Sequence, residues 1–237
     1  MGRGVRPLVI AHRGASGHRP ENTTPAFALA IEQRADMIET DLHATKDGVL
    51  VLTHDAELER LGGAGEVAGI SSSEIRVLDA GGGERVPFLD ATLDAFGARI
   101  RWNLEIKKPG RGFYEGIEAK ALAAVEARGL LAETLFSCFW DPVLARLRER
   151  SGEARLALLL DPRYPEEPVA RARALGAEAI NPHWSMIDGE LLAAAHGEGL
   201  AVYSYTVDDA EEIRRLVDLG VDGVFTNHPD RMRALIG

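Results

Sequence analysis

Short apolar runs alternate with helix-length amphipathic segments along most of this chain, and that alternation restricts the fold more than any other feature. The runs fall at residues 8–11, 37–42, 101–106, 134–139, 154–160, 178–181, 200–205 and 221–226. Helical patterns separate them at 25–34, 114–128, 142–150, 166–175, 189–196 and 208–219, with a last one at 229–236. Strands that alternate with helices pair in parallel through right-handed crossovers. Eight such units in 237 residues fit a closed (β/α)8 TIM barrel. An open doubly wound sheet would place a glycine-rich phosphate loop after the first strand. The sequence there, His12-Arg13-Gly14-Ala15-Ser16-Gly17, lacks that spacing.

The alternation breaks only between about residues 44 and 98. Asp47-Gly48 supplies the positive-φ chemistry of a hairpin, so 49–53 is expected to run back antiparallel to the second strand. Gly62-Gly63-Ala64-Gly65 and Gly81-Gly82-Gly83 mark loops. Ser71-Ser72-Ser73-Glu74 fits the cap of a short helix, and 88–96 reads as helical. This segment is expected to be an excursion after the second barrel strand. It is too short and glycine-rich for a core of its own, within a single domain over 1–237.

The composition suits that architecture. The chain is 46% hydrophobic and 27% charged, enough for a sizeable core. Its formal net charge of −10 argues against a general nucleic-acid or anionic-membrane binder. Cys138 is the only cysteine, so no intrachain disulfide forms. The apolar run at 8–11 is too short for a signal peptide or a membrane span, which makes a cytoplasmic protein without stable membrane insertion the expectation. Oligomeric state is not legible.

In a barrel, inward and outward side chains alternate along each strand, and catalytic groups gather at the C-terminal strand ends. The first strand ends in His12 and Arg13, a proton-shuttling group and a fixed cation. The Asn22-Thr23-Thr24-Pro25 segment after them looks like a capped helix start. In Met37-Ile38-Glu39-Thr40-Asp41-Leu42, period two turns Glu39 and Asp41 inward together. Two buried carboxylates on one face need protons, a cation or a metal ion. In Asn103-Leu104-Glu105-Ile106-Lys107, the same reasoning turns Asn103, Glu105 and Lys107 inward. Glu39, Asp41 and Glu105 would form an all-oxygen site suited to Mg2+ or Ca2+, with Mn2+ also admissible. Lys107 would meet an anionic ligand or pair with a carboxylate. His54, at the end of the hairpin, joins His12 as a candidate acid or base. His183 follows a short strand and could line the pocket. Tyr205, near a strand end, could stack on the substrate, whereas Tyr203 suits the core.

As a set, these motifs resemble the glycerophosphodiester phosphodiesterase family. They are His12-Arg13-Gly14, Pro20-Glu21-Asn22-Thr23, Glu39-Thr40-Asp41, Asp47-Gly48 with His54-Asp55, Asn103-Leu104-Glu105-Ile106-Lys107, and Gly220-Val221-Asp222-Gly223-Val224-Phe225-Thr226. The resemblance covers nearly the whole chain. It implies a (β/α)8 barrel that hydrolyses glycerophosphodiesters to glycerol 3-phosphate and an alcohol with a divalent cation. It also implies His12 and His54 as the acid–base pair, Glu39, Asp41 and Glu105 as metal ligands, and Arg13 and Lys107 as phosphate contacts. Glu21 would support the first loop or contact the site. Two segments depart from the family pattern. Tyr205-Thr206-Val207-Asp208 stands where Trp-Thr-Val-Asn is usual, and Thr226-Asn227-His228-Pro229 replaces Thr-Asp-x-Pro. The second change implies a charge lost near the last strand.

Charge neutralisation, a deprotonated attacker and a protonated leaving oxygen are what phosphodiester hydrolysis requires. His12 is expected as the acid and His54 as the base, although nothing in the sequence orders the two. A lipid-cleaving barrel phosphodiesterase, a phosphoester-binding barrel without catalysis and a metal-dependent lyase or aldolase are the competing readings. The first would want a membrane-docking loop. The second leaves five filled catalytic and metal positions unexplained, and the third does not account for two strand-end histidines.

Overall fold

The computed structural model describes residues 6–237. Strands β1 (Leu8–His12) and β2 (Met37–Ala44) precede a short β3 (Leu50–Leu52). Then come β4 (Arg101–Ile106), β5 (Thr134–Cys138), β6 (Arg155–Leu160), β7 (Ala179–Pro182), β8 (Ala201–Ser204) and β9 (Gly223–Thr226). The helices are α1 (Thr24–Glu32), α2 (Ser72–Ile75), α3 (Leu89–Phe96), α4 (Ile117–Glu126), α5 (Asp141–Arg150), α6 (Pro168–Ala174), α7 (Gly189–Gly197), α8 (Ala210–Leu219) and α9 (Pro229–Ile236). All strands but β3 pair in parallel, in the order β1-β9-β8-β7-β6-β5-β4-β2, and β1 also pairs with β2. The sheet therefore closes into a (β/α)8 barrel, as the alternation requires. β3 is the hairpin return, pairing antiparallel with the end of β2 from Leu42↔Leu52 to Ala44↔Leu50.

Period two divides the core. Val9, Ala11, Ile38, Leu42, Leu104 and Phe136 face the helices. Ile10, Met37, Leu135, Ala157, Ala179, Tyr203 and Phe225 fill the barrel interior. The next inward positions toward the C-terminal strand ends are polar, because β2 and β4 register Glu39 against Asn103 and Asp41 against Glu105. His12 in turn registers against Glu39. The apolar plug thus carries a polar floor above it, facing the open end of the barrel.

Three local features differ from expectation. The excursion does pack a small apolar cluster, Val51, Leu58, Leu61, Val67, Ile75 and Val86. Its glycines do not prevent packing. Gly62 (φ 76°) and Gly65 (φ 83°) make the tight turns that fold the segment back onto β3. α4 starts at Ile117 rather than 114 because Gly116 adopts φ 69°, a left-handed conformation that interrupts the helix. Asn22 does not cap α1. Thr23 occupies the cap position without a side-chain bond, and Asn22 (φ 56°) turns inward. Ser71 and Glu74 form the expected reciprocal capping box at α2. No helix among the described residues is long and apolar enough to cross a membrane.

Candidate active site

A cavity of about 310 Å³ opens at the C-terminal end of the barrel, lined by His12, Arg13, Glu39, His54, Glu105, Lys107, His183 and Tyr205 together with several neutral residues. Beneath its wall lies Asp41, 1% exposed. One carboxylate oxygen from each of Glu39, Asp41 and Glu105 lies within 4.8 Å of the others. A single hard cation with oxygen bonds of about 2.4 Å spans such a set.

Electrostatics set the character of this trio. Burial, together with repulsion from Asp41 and Glu105, pushes Glu39 well above the ordinary carboxylate range. Burial likewise pushes Glu105 up. Burial alone would raise Asp41 too, but the Lys107 ammonium and the Arg13 guanidinium hold it below its usual value. Lys107 Nζ lies 2.6 Å from Glu105 Oε1 and 3.0 Å from Asp41 Oδ1. Arg13 Nε lies 3.2 Å from Asp41 Oδ2. Asn22 Nδ2 donates to the same Asp41 oxygen at 2.8 Å, and Asn22 Oδ1 accepts from Thr40 Oγ1 at 2.6 Å. Three carboxylates thus face two cations. Among the described residues, buried Glu39 Oε1 has no hydrogen-bond partner. That orphaned oxygen and the all-oxygen donor set fit a divalent cation.

The two histidines are held differently. Asn227 Nδ2 donates to Asp208 Oδ2 at 2.6 Å, which leaves Asn227 Oδ1 to accept from His12 Nδ1 at 2.8 Å. The proton of neutral His12 therefore sits on Nδ1, and Nε2 is left as the basic nitrogen. Burial and the nearby Arg13 cation pull His12 down to about 4, so it is neutral at physiological pH. His54 Nδ1 instead donates to the Asp55 carboxylate at 2.7 Å. Burial alone would raise Asp55, but its bonds to His54 and Arg60 hold it below its ordinary value. Arg60 also reaches Glu21 at 2.9 Å, tying the excursion to the first loop.

Of the residues singled out from sequence, His12, His54, Glu39, Glu105, Arg13, Lys107, His183 and Tyr205 share one cavity, with Asp41 directly below. Tyr205 donates its hydroxyl to Leu160 O at 2.7 Å and meets the rings of His183 and Phe139 edge-on. Glu21 does not reach the main cavity. Its carboxylate binds Arg13 at 2.9 Å and Arg60, so it supports the loop. The charge expected to be missing near β9 is also present. Asp208 supplies it one strand over, bonded to Asn227. The two departures from the family pattern thus meet in one hydrogen-bonded pair, Asp208 with Asn227. The partners of four positions were not legible in the sequence. Asn22 orients Asp41, Asn227 orients His12, Asp55 partners His54, and His43 lies under His54. His43 Nε2 donates to His54 O at 3.2 Å, and the Tyr114 hydroxyl donates to His43 Nδ1 at 2.7 Å. Period two from Asp41 gives the inward direction of His43. Nothing in the sequence gives its partner, 71 residues away.

Known proteins resemble this chain in sequence and in fold. A model of the glycerophosphoryl diester phosphodiesterase family matches residues 12–231. The chain is 34% identical to a glycerophosphodiester phosphodiesterase of Caldanaerobacter subterraneus subsp. tengcongensis, covering 98% of both chains. It is 32% identical to one from Bacillus subtilis, over 95% of this chain and 85% of that one. A crystal structure of the Agrobacterium tumefaciens glycerophosphodiester phosphodiesterase superposes with a TM-score of 0.84 at 32% identity, covering 96% of this chain and 99% of that one. A phosphodiesterase from Oleispira antarctica, solved in complex with the product sn-glycerol-3-phosphate, superposes with a TM-score of 0.90 at 28% identity over 98% of this chain and 97% of that one. With its barrel closed, its strand-end histidines and carboxylates in one cavity and its sequence matched nearly end to end, this chain belongs to the glycerophosphoryl diester phosphodiesterase family.

Proposed function

We propose that this enzyme hydrolyses small glycerophosphodiesters to glycerol 3-phosphate and an alcohol, with a bound divalent cation and with His12 and His54 as the proton-transfer pair. The observation that carries the reading is the joint placement of two differently bonded histidines, three buried carboxylates and two cations around one cavity. The product found in the Oleispira relative is the phosphate-bearing product assigned here.

Glu39, Asp41 and Glu105 would hold the cation, Mg2+ or Ca2+ by the hardness of the donors. Bound there, it supplies Lewis-acid charge stabilisation to the phosphate. Arg13 and Lys107 add fixed positive charge at the wall, where a diester anion must sit. The hydrogen bonds favour the order of roles opposite to that expected from sequence. His12, with its proton held on Nδ1 by Asn227, presents a free Nε2 lone pair and takes the proton of the attacking oxygen, which belongs to water or, by way of a cyclic phosphate that water then opens, to the glycerol 2-hydroxyl. His54, whose Nδ1–H is held and oriented by the Asp55 carboxylate, protonates the leaving alkoxide. His183 and Tyr205, on the opposite wall, shape the space for the organic groups.

Leaving-group chemistry tests the assignment. His12→Ala and His54→Ala should each lower kcat on a natural diester by about 10²–10⁴-fold while cation affinity is retained. A substrate with a p-nitrophenolate leaving group needs no acid. It should restore much of the rate of His54→Ala and little of that of His12→Ala. Near-normal turnover by either variant on the natural diester removes the pair from the mechanism, and the reverse pattern of rescue exchanges the two roles.

A further inference from the structure

Outside the cavity, three metal-binding side chains meet on the rim of the barrel. His18 lies in the loop between β1 and α1, while His228 and Asp230 stand at the start of α9. His18 Nε2 is 3.0 Å from Asp230 Oδ1 and 3.4 Å from His228 Nδ1. One ligand atom of each residue lies within 4.8 Å of the others. A tetrahedral zinc ion with bonds of about 2.0–2.1 Å sets its ligand atoms about 3.3 Å apart. The two separations bracket that edge. The single proton of a neutral His18 Nε2 cannot serve both an oxygen and a nitrogen well, whereas a cation between them satisfies all three lone pairs.

The backbone holds these side chains in place. Gly17 N donates to Asn227 O at 2.9 Å, joining the two loops, and His18 N donates to Ala15 O at 3.0 Å. His228 N donates to Thr226 Oγ1 at 3.1 Å. The His228 ring lies directly on Gly17, where a Cβ would stand 2.2 Å from it, so only glycine leaves room for the imidazole. Neither histidine has a part in the hydrolysis described above. Two imidazoles and one carboxylate select a borderline metal, unlike the all-oxygen set inside the cavity.

We propose that His18, His228 and Asp230 form a second metal site that takes Zn2+, with solvent at the fourth position. The ion would clamp the β1–α1 loop to the start of α9, directly beside Asn227, the residue that orients His12.

The test is a Zn2+ titration of the whole protein in excess Mg2+, with a chromophoric chelator as competitor. The wild type should hold one zinc equivalent that Mg2+ does not displace. His18→Ala and His228→Ala should each weaken it by at least about 10- to 100-fold, since losing a direct ligand costs no less than losing an outer partner. Both should keep their far-ultraviolet circular dichroism, and Glu105→Gln should leave the equivalent in place. Co2+ bound in its stead should show the intense visible bands of a tetrahedral site. No Mg2+-resistant zinc in the wild type, retention of it in both alanine variants, or its loss in Glu105→Gln overturns the proposal.

Discussion

At the scale of single residues, the site depends on what each imidazole is bonded to. His12 faces an amide oxygen, because Asn227 and the carboxylate of Asp208 bind each other. Asn227→Asp would set two carboxylates side by side and give His12 an anionic partner. kcat/KM at neutral pH should fall by about 10- to 100-fold, the usual cost of disturbing the outer partner of a functional histidine. The exchanged pair, Asp208→Asn with Asn227→Asp, should recover most of that loss, and a double variant as poor as the single would show that the two positions do not act together. His43 makes a different prediction. Burial pulls it down to about 4 from the ordinary value near 6.5, so it is neutral when folded. Between those values the unfolded chain binds a proton that the folded chain does not, and stability falls as pH falls through that window, levelling off below it. The residue accounts for a loss of about 3 kcal/mol. Glu39 titrates in the opposite sense, so the informative quantity is the difference between wild type and His43→Gln. Urea unfolding at pH 7.5 and pH 5 should show a flatter pH dependence in the variant, and equal slopes would rule His43 out as the source. The inward carboxylates, Lys107 and both strand-end histidines were legible because period two is a local signal. Asn22 and Asn227 were not. An asparagine next to a proline-led helix looks like a cap until the carboxylate that it serves is placed beside it.

At the scale of elements, the strand–helix alternation located every barrel strand, with each strand end within two residues of the observed one. Gly116 shortened α4 and freed Tyr114 to reach His43. The excursion was underestimated. Its apolar residues are spaced irregularly, without a helix or strand period, and they converge only because glycine turns bring them onto β3. A close approach of backbone to backbone lies at the end of β1. Gly14 holds φ 79°, and a Cβ there would stand 2.7 Å from the Ala26 carbonyl carbon of α1. Gly14→Ala should destabilise the fold by about 2–4 kcal/mol, combining positive-φ strain with overpacking. It should also lower turnover, because Arg13 and His12 sit on the same turn. Chemical denaturation measures the first effect. A variant within 0.5 kcal/mol of wild type would show that β1 and α1 are not held this closely.

At the scale of the molecule, closure of the barrel brings β1, β2 and β4 side by side, so that residues from three strands and a hairpin share one cavity. The apolar plug below keeps the three carboxylates out of bulk water beside two fixed cations, a charge balance that protons or a bound cation can complete. The central claim is therefore a cation-dependent hydrolysis that leaves phosphate on glycerol. It is tested most directly by incubating chelator-stripped enzyme with glycerophosphocholine, with and without added Mg2+ or Ca2+, and identifying the phosphate-bearing product by 31P NMR. The account predicts no turnover in excess chelator, recovery when the cation is restored, and glycerol 3-phosphate as the phosphate-bearing product. Undiminished hydrolysis in chelator, or phosphocholine as the product, would contradict it.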